Sequence, residues 1–146
     1  MSITQMSIED YKGVYELWIS TPGMGLNDVD DSYEGIKCFL RRNPTTCFVA
    51  KEADKVIGVI MSGHDGRRGY IYHTAVAQSN RKQGIGKALV KHALSALKEE
   101  GIHKVALVAF QKNTLGNKFW EAMGFTLRED LNYRNLALVG LKRIDT

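Results

Sequence analysis

Apolar positions recur at helical spacing twice in the first third of the chain. Ile8, Tyr11, Val14, Tyr15 and Trp18 share one face of an expected helix, with Ser7 as its N-cap and Glu9 and Asp10 in its first turn. Residues 3–6 read as a short strand before it. Residues 21–31, rich in Gly and Asp, read as a loop. Ile36, Phe39 and Leu40 mark a second helix; Asp31 and Glu34 have capping-box spacing, and Asn43-Pro44 ends it. The period then changes. The runs 47–51 and 56–61 are apolar or β-branched and are joined by Ala53-Asp54-Lys55, which predicts a hairpin. Residues 62–69 form a second turn, and 70–76 read as the third strand of an antiparallel meander.

A long amphipathic pattern follows, with Ile85, Leu89, Ala93 and Leu97 on one face and Gly101 as the stop. The run 105–109 is wholly apolar, as befits the middle of a sheet. A strand–helix–strand unit of this length should leave 70–76 and 105–109 parallel, through a right-handed crossover. A short helix over 115–123, closed by Gly124, and two final strands over 125–129 and 133–141 complete the pattern. The predicted class is α/β, a mostly antiparallel sheet with one central parallel pair and about four helices. Residues 1–146 form one expected domain.

Composition narrows the partners. No apolar run is long enough to cross a bilayer, and no basic segment followed by an apolar one opens the chain, so a cytoplasmic protein is expected. The net charge of +4 suits an anionic ligand but is too dispersed to argue for nucleic acid. Cys38 and Cys47 lack metal-type spacing and read as reduced, buried, small apolar residues.

The candidate chemistry centres on Arg81-Lys82-Gln83-Gly84-Ile85-Gly86-Lys87, between a strand and a helix. Two glycines permit a tight turn, and the first helical amides lack intrahelical partners, so the stretch predicts a phosphate site. A P-loop would need a hydroxyl after Gly86-Lys87, where Ala88 stands. A dinucleotide fold would need an acid at the end of the next strand, which reads Val108-Ala109-Phe110-Gln111. A coenzyme A pyrophosphate remains.

Arg81-Lys82-Gln83-Gly84-Ile85-Gly86 resembles the Arg/Gln-x-x-Gly-x-Gly/Ala signature of the GNAT superfamily of N-acetyltransferases. Asn113, Gly116, Phe119-Trp120-Glu121 and Gly124-Phe125 resemble its second signature. The resemblance covers essentially the whole chain. It implies that strands 70–76 and 104–110 splay around acetyl-CoA. Ala75, Val76 and Ala77 would bond the pantetheine arm. The amides of Gln83, Gly84, Ile85, Gly86 and Lys87, with Arg81 and Lys82, would hold the pyrophosphate. Asn113, Phe119 and Trp120 would lie against the cofactor. It further implies direct acetyl transfer to a primary amine of a small molecule or a protein, no metal, no nucleic acid, no membrane, and a homodimer as in many relatives.

Acetyl transfer needs a neutral amine, an oxyanion donor and an exit for the thiolate. The backbone of Val76 is the expected oxyanion donor. The family's acid is commonly a tyrosine where this chain has Trp120, whose indole cannot serve as an acid near neutral pH. One reading therefore keeps an enzyme with another proton donor; the other is an acyl-CoA sensor or scaffold with little turnover. Strand alternation places Tyr70, Tyr72 and Thr74 with Val76, and Ile71, His73 and Ala75 opposite. Tyr72 is the favoured active-site hydroxyl. His73 reads either as a packed strand histidine or as a base. By the resemblance, the acceptor cleft is walled by the first two helices, their loop and the last strands, which offers Trp18, Met24, Asp28, Asp30 and Tyr133. The acidic loop would attract a cationic amine, with Asp31 reserved as a helix cap.

Overall fold

The computed structural model describes residues 1–144. Its sheet has five strands in sequential order: β1 (Ser2–Gln5), β2 (Phe48–Glu52), β3 (Lys55–His64), β4 (Gly69–Val76) and β5 (Val105–Leu107). All neighbours are antiparallel except β4 and β5, which run parallel. Four α-helices accompany them: α1 (Tyr11–Ile19), α2 (Tyr33–Arg42), α3 (Ile85–Glu99) and α4 (Thr114–Ala122). None of the described helices is long and apolar enough to cross a membrane.

The sheet is covered on both faces. Val14 and Trp18 of α1 and Ile36 and Leu40 of α2 pack with Val49, Val59 and Met61 on one face. On the other, Ile85, Leu89, Val90 and Ala93 of α3 pack with Ala50, Ile57, Ile60 and Ile71. Full burial of one such leucine stabilises the fold by about 2 kcal/mol. The β2–β3 hairpin closes through Ala53 and Asp54, both left-handed (φ 48° and 65°), the two-residue turn that matches strand twist.

Four expectations need correction. Among the described residues, no strand follows β5, so 125–129 and 133–141 are not strands. Alternation marks a half-buried strand, yet a strand also needs a partner edge. Here Leu127, Leu136 and Leu138 stand 78%, 83% and 90% exposed, and only Arg143 makes a bridge, to Asn27. In consequence β5 is an edge strand of three residues rather than a central one. Asp31 does not cap α2; Ser32 does, its hydroxyl accepting from the Gly35 amide at 3.0 Å. Cys38 is exposed on α2, and only Cys47 is buried.

Candidate active site

The parallel pair parts early. β4 and β5 are in register only at Gly69–Val105, Tyr70–Ala106 and Ile71–Leu107, although β4 continues to Val76. Residues 72–76 therefore have no strand partner on the β5 side. Val76 lies opposite Gly58, and the next residue, Ala77, donates its amide to Ile57 of β3 at 2.8 Å. Antiparallel ladders alternate, so Val76 turns its N–H and C=O away from β3 and into the split. Arg81 Nε takes that carbonyl at 3.1 Å, which leaves the N–H. The same alternation turns Ala75 toward Val59. Of Ala75, Val76 and Ala77, only Val76 presents its backbone to the gap, because the other two complete the β3–β4 ladder.

A bulge changes which side chains face which way. Val59 and Met61 are two apart on β3 but pair with Ala75 and Tyr72, three apart on β4. The extra residue in β4 breaks the alternation. Ile71 packs under α3, whereas Ala75 belongs to the α1–α2 face. His73 and Tyr72 both reach that second face: Tyr72 meets Phe39 of α2 edge-on at 5.6 Å, and His73 meets Trp18 of α1 at 5.1 Å. Tyr72 and Val76 thus lie on opposite faces, contrary to simple alternation.

At the start of α3, Lys82 and Gly84 both adopt left-handed backbone (φ 61° and 80°). Holding a lysine there costs about 1 kcal/mol. Alternating conformations of this kind turn successive amides into one concavity. The first helical bond of α3 runs from Ala88 N to Gly84 O, so the amides of Ile85, Gly86 and Lys87 have no helical acceptor. A side chain at Gly84 would meet nothing within 4 Å, whereas one at Gly86 would press on Phe119 at 3.3 Å. Gly84 is thus set by its φ and Gly86 by the closeness of α4.

Asn113 caps α4, its Oδ1 accepting from Gly116 N at 3.0 Å. A Cβ at Gly116 would lie 2.5 Å from the same carboxamide, which explains the Asn-x-x-Gly spacing. Phe119, Trp120 and Phe125 stack edge to face at 5.0 and 5.3 Å beside the α3 core.

The acceptor-side residues scatter more than expected. Trp18 is fully buried and cannot line a cleft; it is core. Met24 is half-buried against that core. Asp28 is engaged, its Oδ1 accepting from Lys142 N at 2.7 Å. Asp30 is exposed, holds Asn27 Nδ2 at 3.0 Å, and stands near enough to oppose ionisation of Tyr72. Tyr133 acts on both β4 tyrosines in the same sense. Burial, aided by Tyr133 and then Tyr72, pushes Tyr70 up to about 12. Burial, Tyr133 and Asp30 raise Tyr72 in that order. Both phenols stay protonated at neutral pH and can donate but not accept a proton there. A residue absent from the expected cleft completes the group. Asp31, 4% exposed, lies 2.7 Å from His73 Nε2. No local sequence signal pairs residues 42 apart. A broad depression of about 520 Å³ between α1 and the β2–β3 hairpin, near Lys51 and Asp10, lies on another part of the surface. Of the candidate site residues it is lined only by Ala77, just beyond the end of β4.

The sequence pattern of the acetyltransferase (GNAT) family matches residues 11–125, and the chain belongs to that family. Acetyltransferase SG1711 of Sodalis glossinidius is 28% identical over 131 residues, 90% of this chain and 91% of that protein. N-alpha-acetyltransferase 30 of Xenopus laevis is 35% identical over 92 residues, 60% of this chain and 34% of that longer protein. The PaiA N-acetyltransferase of Thermoplasma acidophilum, solved with coenzyme A, has the same fold. Its TM-score is 0.73 at 18% identity, with 87% of this chain and 90% of that one covered.

Proposed function

We propose that this chain is an acetyl-CoA-dependent N-acetyltransferase acting on a primary amine by direct attack, as a single domain. The observation that carries the reading is the split between β4 and β5, with the Val76 N–H aimed into it. The α3 face would receive the donor. The amides from Gln83 to Lys87, with the Arg81 and Lys82 side chains, fit a pyrophosphate in charge and geometry. The Nδ2 of Asn113 is the part of that side chain left for the cofactor, since its oxygen caps α4. Phe119 and Trp120 would flank the arm.

The α1–α2 face would receive the amine. Asp30, exposed beside Tyr72, would draw an ammonium, with Met24 and Tyr133 nearby. Attack places negative charge on the acetyl oxygen, and the Val76 amide is the group positioned to stabilise it. Most of the acceleration would come from holding amine and thioester in attack geometry. Tyr72, protonated at neutral pH, would supply a hydrogen bond or a proton that Trp120 cannot. Names among its relatives, N-alpha-acetyltransferase 30 and PaiA N-acetyltransferase, support nitrogen as the acceptor.

The test is thiol release from acetyl-CoA across an amine panel, with acetyl-CoA binding measured in parallel by calorimetry. Amine-dependent release is the expected result. Binding without release for any amine would replace this reading with an acyl-CoA sensor, which the indole at position 120 favours.

A further inference from the structure

The geometry points to Asp31 as the positioning residue for His73, which makes the pair a carboxylate–imidazole couple that takes the proton from the acceptor amine. This rests on the N-acetyltransferase reading and deepens it. Three ties fix Asp31. Its Oδ1 meets His73 Nε2 at 2.7 Å, its Oδ2 accepts from Asn27 N at 2.8 Å, and its carbonyl accepts from the Tyr11 hydroxyl at 2.8 Å. The carboxylate is almost fully buried, and a buried carboxylate needs such partners. The imidazole is fixed in turn. Trp18, wholly buried, stands edge-on to it at 5.1 Å, and Tyr72 approaches it at 6.5 Å.

The arrangement selects one tautomer. A carboxylate accepts only, so Nε2 carries the proton and donates to Asp31. Nδ1 then bears the lone pair, and it has no hydrogen-bond partner among the described residues. The side chain keeps 17% of its surface open, enough for contact with a solute. Its place is apt. His73 lies three residues before Val76 on β4, about 10 Å along the strand, on the face that carries Asp30 and Tyr72. An amine between the two positions could meet Nδ1 directly or through one water.

The step balances as follows. The amine lone pair forms the C–N bond while the carbonyl π pair moves to oxygen near Val76 N–H. The proton lost by nitrogen goes to His73 Nδ1, and the imidazolium is held by Asp31. Collapse of the intermediate breaks the C–S bond. Coenzyme A leaves as the thiolate, and His73 returns the proton to it or to solvent.

The first measurement is the tautomer of His73 in the wild-type protein, by long-range ¹⁵N–¹H correlation. Protonation at Nε2 is expected, and Nδ1–H would overturn the assignment. The second is a cycle of Asp31→Asn, His73→Gln and the double variant. Each single change should lower kcat about 100-fold and leave the KM for acetyl-CoA within about twofold. The double variant should be no slower than His73→Gln alone. Unchanged kcat in His73→Gln, or losses that multiply, would overturn the couple. Should Asp31→Asn fail to fold, the tautomer and His73→Gln still decide. A wild-type protein that acetylates no amine would overturn the parent reading and the base role with it, whatever the tautomer.

Discussion

Between Arg81 and Lys87 the groups proposed to hold the donor are main-chain amides, arranged by two left-handed residues and the first turn of α3. Between Asn27 and Asp31 the groups proposed to face the acceptor are carboxylates, with partners from β4 and the segment near Lys142, while Tyr11 of α1 holds the Asp31 main-chain carbonyl. The first region is local: seven consecutive residues build it. The second is assembled from segments far apart in the chain. A local device can be read from spacing because its geometry follows from φ values and helix ends. An assembled one depends on how the chain closes, which no short motif records.

The difference can be tested by separating donor binding from acceptor use. Gly84→Asp should have the largest effect. No neighbouring atom opposes the new side chain, and its left-handed backbone costs only about 1–2 kcal/mol, so the fold should survive while a carboxylate enters the proposed anion site. Acetyl-CoA affinity should fall at least about 100-fold by calorimetry; near-normal affinity in a folded variant would remove the turn from the donor site. Tyr72→Phe comes next and should lower kcat about tenfold with acetyl-CoA affinity unchanged. Tyr72 is held above its usual value of 10, and its neutral form is the donor. The tyrosine-dependent rate should therefore persist through neutral pH and fall only as pH rises past 10.

Gly35→Ala probes the proposed acceptor loop from behind. Its Cβ would lie 2.3 Å from the carbonyl oxygens of Val29 and Asp30, so the loop must shift. The expected result is a loss of about 1–3 kcal/mol in thermal unfolding and a raised KM for the amine, with acetyl-CoA binding kept. Parallel loss of donor affinity would show that the two regions are not separable. Cysteine alkylation should have the smallest effect. Burial pushes the Cys47 thiol up to about 12, so it stays protonated and covered at pH 8, while Cys38 is exposed. Native protein should take one label and denatured protein two, by mass spectrometry, with activity unchanged.

The elements readable in advance were those whose signal is local. The hairpin at Ala53-Asp54, the α3 stripe from Ile85 to Leu97 and the parallel β4–β5 pair all follow from period and turn chemistry. The mixed sheet and the family followed from these and two motifs. The bulge in β4 did not, because one extra residue leaves no mark in composition yet reverses the facing of every side chain beyond it. Asp31 departs from its capping-box spacing for a related reason. Its neighbour Ser32 took the cap, and that left the carboxylate free to turn inward to His73. The segment 133–141 has a strand-like pattern without being a strand, because Leu136 and Leu138 alternate with smaller residues, a pattern that says nothing about whether an edge lies within reach.

The split between β4 and β5 has a kinetic consequence under the proposed reaction. The sheet acts as a partition with one slot, and the proposed donor and acceptor sites would lie on its two sides. On that arrangement neither ligand must leave before the other arrives. Initial-rate plots at several fixed amine concentrations should then give lines that intersect rather than run parallel.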